Sequence, residues 1–180
     1  MLIKNFFGHL RTVNSHRHMV MLHCFKAGIF RRGLLHDLSK YSPTEFIPGV
    51  LYFQGSRSPN ERERELKGAS SAWMHHKGRN RHHYEFWTDY SIQTKRMEPM
   101  PMPTRFVLEM LADRMAASKV YKGEAYTDSS PLEYYQQASD HMLIHPKTRK
   151  QLEFLLRMLA RDGEDKTFRY IRTRIMKKRI

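Results

Sequence analysis

Apolar positions along the chain recur mostly at three- and four-residue steps, and no run of strict apolar–polar alternation stands out. That pattern predicts a mostly helical protein. Asn14 or Ser15 signals the cap of a helix running to about Phe30, on which His16, Val20, His23, Ala27 and Phe30 share one face. Gly33 marks a break before a short helix carrying His36 and Asp37. Ser42, Pro43 and Glu45 form a helix start, with Ser as cap, Pro in the first turn and Glu reaching back to close a capping box. Glu61 to about Lys77 reads as one helix with Leu66, Ala69, Trp73 and His76 on a face. Pro99, Pro101 and Pro103 predict an extended linker from Glu98 to Pro103.

Thr104 opens a further helix to about Tyr121, with Val107, Met110, Leu111, Arg114 and Ala117 in the apolar pattern. Asp113 lies on its flank, on the side of Glu109 and Met110. A short helix follows from Leu132 to about Ala138. Another begins at Pro146, carries Leu152, Leu155, Leu156 and Leu159, and ends at Arg161-Asp162-Gly163. Beyond it, Phe168, Ile171 and Ile175 form one stripe among arginines and lysines. The expectation is an all-α, single-domain helical bundle over residues 1–163, with a basic amphipathic helix, residues 164–180, packed on it.

Composition sharpens this picture in two ways. One cysteine, Cys24, excludes a disulfide framework or a thiolate zinc cage within the chain, and fits a reducing, cytoplasmic setting. No apolar run has the length of a membrane span, so no membrane partner is expected. The net charge of +14, from 32 Lys and Arg against 18 Asp and Glu, points to anionic partners. The sharper anomaly is eleven histidines. Seven gather in three places: His16, His18 and His23; His75 and His76; His82 and His83.

Candidate chemistry centres on His36-Asp37-Leu38-Ser39-Lys40. Adjacent imidazole and carboxylate converge only at a helix start or bend, and together suit a divalent metal such as Zn, Mn, Fe or Ni. Lys40 offers a compact positive charge to a phosphate. Asp113 among Met, Leu and Ala is costly unless paired or metal-bound, and His16 near the centre of an apolar stripe also needs a partner. One divalent ion amid His16, His36, Asp37, His75, His76 and Asp113 would satisfy them all. His82 and His83 read equally as pocket wall, where they would contact substrate, or as exposed loop.

The order His, His-Asp, His, Asp on successive helices resembles the HD-domain superfamily of metal-dependent phosphohydrolases. The matching stretches are Gly33 to Pro43, Ala72 to Lys77, Asn80 to Glu85 and Glu109 to Asp113. Over nearly its whole length the chain is similar to a family of small bacterial and phage proteins within that superfamily. The resemblance implies His16, His36, Asp37 and Asp113 as core metal ligands. His75 and His76 fall at positions that face a second metal or a phosphate in two-metal branches. It implies an HD-like fold and hydrolysis of a small phosphoester, with Asp37 and Lys40 catalytic and Mn, Fe, Zn, Ni or Mg as cofactor. A nucleotide substrate is favoured by the basic charge and by Trp73, Tyr84 and Trp87 as stacking surfaces. The competing expectation is a non-catalytic, metal-stabilised module that binds nucleic acid or protein through its basic surface.

Overall fold

The computed structural model describes residues 2–177. In chain order its helices are α1 (Leu2–Ala27), α2 (Phe30–Leu35), α3 (Pro43–Leu51), α4 (Pro59–Lys67), α5 (Ser71–Arg79), α6 (Thr104–Lys122), α7 (Ser130–Ala138) and α8 (Pro146–Tyr170). The only strands among the described residues are β1 (Thr88–Ser91) and β2 (Arg96–Pro99), an antiparallel hairpin pairing Thr88 with Pro99 and Ser91 with Arg96. The fold is all-α and forms one domain.

α6 is the central helix, and its sequence says why. From Phe106 to Ala112 every side chain is buried, so the segment is apolar nearly all round and must be enclosed by neighbours. α1 packs on it through Val20, Cys24 and Ala27, and α8 through Leu152, Leu155, Leu156 and Leu159. Glu109 is the exception inside this run. Its burial at 1 % exposure requires partners, which the histidines supply.

Several boundaries differ from the sequence expectation. α1 begins twelve residues before Asn14, which is an interior helical residue and no cap. It ends at Ala27, where Gly28 at φ 79° turns the chain, and Phe30 starts α2 with an exposed side chain. The single helix expected from Glu61 to Lys77 is broken at Gly68, φ 75°, and Ser70 Oγ accepts the Trp73 N–H at 3.0 Å to cap α5. The break turns Leu66 out to solvent and buries Glu63 instead, held by Ser70 and Ser71. The capping box at Ser42 does not form, because Glu45 is drawn away by His75 and His76. The expected linker from Glu98 partly belongs to β2, made possible by a left-handed Lys95 at φ 55° in the turn.

The tail expected from Glu164 is set off from the helix before it by one non-helical residue, Gly163, φ 81° and ψ 172°. The chain then continues helically to Tyr170 and closes in a π-helical turn, Ile171–Met176. Phe168 and Ile171 are buried in the core and Ile175 packs against it. Residues 178–180 of the expected tail helix lie outside the described residues.

Candidate metal centre

His36 and Asp37 meet because the backbone bends between them. α2 ends at Leu35, His36 is extended, and Asp37 is left-handed at φ 52°, ψ 28° before a short 3-10 turn, Leu38–Tyr41. On a regular helix or strand adjacent side chains would diverge. Here His36 Nε2 and Asp37 Oδ2 come to 3.4 Å. Aspartate enters the left-handed region more easily than most residues, at a cost of about 1–3 kcal/mol. Arg17 on α1 holds the bend: its Nε donates to the His36 carbonyl at 2.8 Å and its Nη2 to the Leu34 carbonyl at 3.2 Å. Gly33 sets the approach of α2. A Cβ there would lie 2.8 Å from Cys24 Cβ and 2.9 Å from Met21 Cα, so only glycine lets α2 rest this close on α1.

The first group of ligand atoms forms around this bend. His16 Nε2 lies 3.0 Å from Asp113 Oδ1 and 3.9 Å from Asp37 Oδ2. His36 Nε2 lies 3.4 Å from His16 Nε2 and 3.7 Å from Asp113 Oδ1. With metal–ligand bonds near 2.1 Å, a tetrahedron has edges of about 3.4 Å. Four donors from α1, the α2 bend and α6 therefore sit at coordination spacing around one point. Burial pushes the Asp113 carboxyl up, but the bonds from His16 and His36 outweigh it and hold it well below the usual range. Burial likewise opposes a charged His36, yet Asp37, Asp113 and Glu109 raise its pKa to about 10.

A second group uses the other oxygen of Asp37. Oδ1 lies 3.4 Å from His76 Nε2 and 3.4 Å from His82 Nε2, and His83 completes the set. Asp37 Oδ1, His82 Nε2 and His83 Nε2 are buried without a hydrogen-bond partner. Buried polar atoms are nearly always paired, so unpaired atoms on three residues of one such group fit a ligand there. Burial of Asp37 works against its charge, but His36, His76, Lys40 and His82 keep the carboxyl well below the ordinary value. Burial and Lys40 lower His76, and burial with His82 lowers His83 much further, so both favour the neutral, metal-binding form.

Two glutamates aim the rings. Glu109 Oε1 faces Nδ1 of His36 at 3.1 Å and Nδ1 of His82 at 3.4 Å, which turns one Nε2 toward each group. Arg32 Nε donates to its Oε2 at 2.7 Å. His36, His82 and Glu109 are themselves close enough to hold an ion. Glu109 nevertheless meets the Nδ1 side of both rings, the arrangement of an orienting carboxylate. Glu45 does the same for α5: Oε2 bonds His76 Nδ1 and Oε1 bonds His75 Nδ1, each at 2.7 Å.

Of the residues expected from sequence, His16, His36, Asp37, His76 and Asp113 are brought together. His75 is not: it points at the far oxygen of Glu45 and enters neither group. Its neighbour His76, one helical step round α5, takes the inward position. Lys40 reaches Asp37 Oδ2 at 3.5 Å, at the edge of the centre. His82 and His83, expected as substrate contacts or as exposed loop, stand instead among the ligand atoms, His82 fully buried. His23 faces the other way, its Nδ1 against the Ala112 carbonyl at 3.3 Å. Glu109 and Glu45 were missed in the sequence. A signal existed for Glu109, which precedes Asp113 by four residues and so shares its helix face.

Fold and site together define an all-α protein with a buried histidine–aspartate centre able to hold metal. A cavity of about 580 Å³ opens beside it, lined by Asp37, Lys40, His76, His83 and Asp113 among others. The chain belongs to the family of unknown function DUF5662, which matches residues 5–158. No curated protein and no solved structure matches it. No helix among the described residues is long and apolar enough to cross a membrane.

Proposed function

We propose that the protein is a two-metal phosphohydrolase acting on a small phosphoester. The observation that carries this reading is Asp37, whose two oxygens face two separate sets of nitrogen and oxygen donors. A carboxylate shared in this way suits a pair of divalent ions. The donor sets fit such ions in number, spacing and orientation. The order of the ligands along the chain adds the resemblance to HD-domain phosphohydrolases.

When bound, divalent ions lower the pKa of water into the neutral range and stabilise charge on phosphate oxygens. The chain's own residues supply the rest. Glu109 and Glu45 hold the imidazoles with Nε2 inward. Lys40, at the cavity edge, places a positive charge where a phosphoryl group reaches the centre. Burial of Asp37, His36 and His82 excludes bulk water from the donors and strengthens every charge interaction there. Substrate enters from the cavity side, the open flank of Asp113 and Lys40.

The test is metal analysis of untagged protein together with a phosphomonoester and phosphodiester screen. The reading expects two equivalents of divalent metal and metal-dependent release of phosphate, abolished by Asp37→Ala. One equivalent with no turnover of any ester would replace it with a structural metal in a binding module.

A further inference from the structure

The cavity beside the centre contains more than a phosphate needs. Four lysine or arginine side chains line it: Lys40, Arg57, Arg114 and Lys122. Three already hold a carboxylate: Lys40 pairs with Asp37 at 3.5 Å, Lys122 with Glu133 at 3.0 Å, and Arg57 bonds Glu65 through Nη2 at 2.8 Å. Arg114 does not. Its Nε is buried with no hydrogen-bond partner, and its guanidinium lies over the Tyr135 ring at 5.5 Å. Glu85 also lines the cavity and its Oε2 is likewise buried without a partner, so these two atoms do not bond each other.

Arg114 as a whole is half-buried, but a guanidinium cannot shed its charge, and a covered Nε–H with no acceptor stays unsatisfied until one arrives. The Tyr135 face supports the cation but satisfies none of its N–H groups. Arg114 directly follows the ligand Asp113 on α6, one helical step round and about 1.5 Å along the axis. Its side chain therefore enters the same cavity from beside the centre without entering the donor sets.

We propose that Arg114 receives a second anionic group of the substrate, so that the natural substrate is a phosphoester carrying another phosphate or a carboxylate. This rests on the hydrolytic reading above. The planar fork of Arg114 matches either anion with two parallel N–H bonds. The unpartnered Glu85 oxygen accepts from a hydroxyl of the same molecule, which favours a polyhydroxylated body between the two anions.

The experiment compares matched pairs on the metal-loaded protein: fructose 6-phosphate against fructose 1,6-bisphosphate, glycerol 1-phosphate against 3-phosphoglycerate, and adenosine 5′-monophosphate against adenosine 3′,5′-bisphosphate. Both kcat/KM and equilibrium binding are measured, with melting temperature and metal content as checks of folding. At least one doubly anionic member is expected to lead its partner tenfold or more. Arg114→Gln should collapse that ratio to near one, and Arg114→Lys should restore part of it. The bisphosphate and carboxylate pairs distinguish which anion is received. Preferential binding lost in Arg114→Gln, with no turnover, upholds this inference and overturns hydrolysis. A preference that survives in folded Arg114→Gln, or no preference in either turnover or binding, overturns the inference and leaves hydrolysis to its own test.

Discussion

The two donor groups that share Asp37 are built on opposite principles. The group of His16, His36 and Asp113 is rich in carboxylate, and its members already bond one another. With His36 raised to about 10, a proton can occupy this group and balance its charge. The group of His76, His82 and His83 is rich in imidazole, and its inward nitrogens include two with no partner at all. Burial keeps His76 and His83 neutral, so no proton takes a metal's place. The first group is self-sufficient without a ligand, whereas the second is not. Ligand chemistry separates them further: mixed carboxylate and imidazole suits Mn and Fe, while an imidazole-rich set suits Zn and Ni.

The change with the largest expected effect removes the shared residue. Asp37→Ala should abolish both equivalents of metal. With metal at about a thousand times its dissociation constant, each lost equivalent removes about 4 kcal/mol of apparent stability. Calorimetry should therefore show a melting temperature lower by at least about 10 °C. Retention of either equivalent would mean that the groups do not share Asp37.

Next come the single-group variants. His16→Ala should lose one equivalent and His82→Ala the other, each leaving its counterpart bound. Titration with Mn and with Zn should then give the two variants opposite preferences. Loss of both metals from either variant would make the centre one cooperative unit and dissolve the distinction drawn above.

A smaller effect is expected at the carboxylate that touches both groups from outside. Glu109→Gln keeps the side-chain volume but weakens its hold on His36 and His82. Affinity in both groups should fall by about 10–100-fold, the usual cost of losing a partner behind a ligand. A change confined to one group, read by isothermal titration, would show that Glu109 orients only one ring.

The smallest effect belongs to His75. His75→Ala should leave both equivalents in place and cost only about 1 kcal/mol, the worth of an ordinary hydrogen bond to Glu45. Chemical denaturation measures it directly. A missing metal equivalent would place His75 among the ligands after all.

The same contrast explains how much could be read in the sequence. His16 and Asp113 announce themselves because each is a polar group within an apolar helical period. His36 and Asp37 announce themselves because adjacent His and Asp require a bend. In the second group only His76 follows a helical period, in step with Ala69 and Trp73. His82 and His83 lie past the end of α5, where spacing says nothing about direction, and their burial depends on long-range packing against Glu109 and Asp37. His75 and His76 could not be separated by spacing alone, since the choice is made by Glu45, thirty residues upstream. Glu45 itself was disguised as a capping residue. The boundaries of α1, α4 and α5 failed for the same reason: Gly68 acts through its backbone, and the Asn14 cap signal is overridden by packing of α1 along its whole length. The all-α class was legible because α6 and α8 carry long, unbroken apolar patterns.

The close contact at Gly33 makes the lone cysteine informative. Cys24 is fully buried where α2 presses on α1, and burial raises its thiol well above the ordinary range. As a neutral, covered thiol it is inert toward alkylating reagents, which attack the thiolate. Lifting of α2 from α1 would uncover it, and would also carry His36 away from His16. The rate of Cys24 labelling is therefore expected to follow opening of the centre. It should be slow with metal bound and faster in chelator, and it needs no introduced probe.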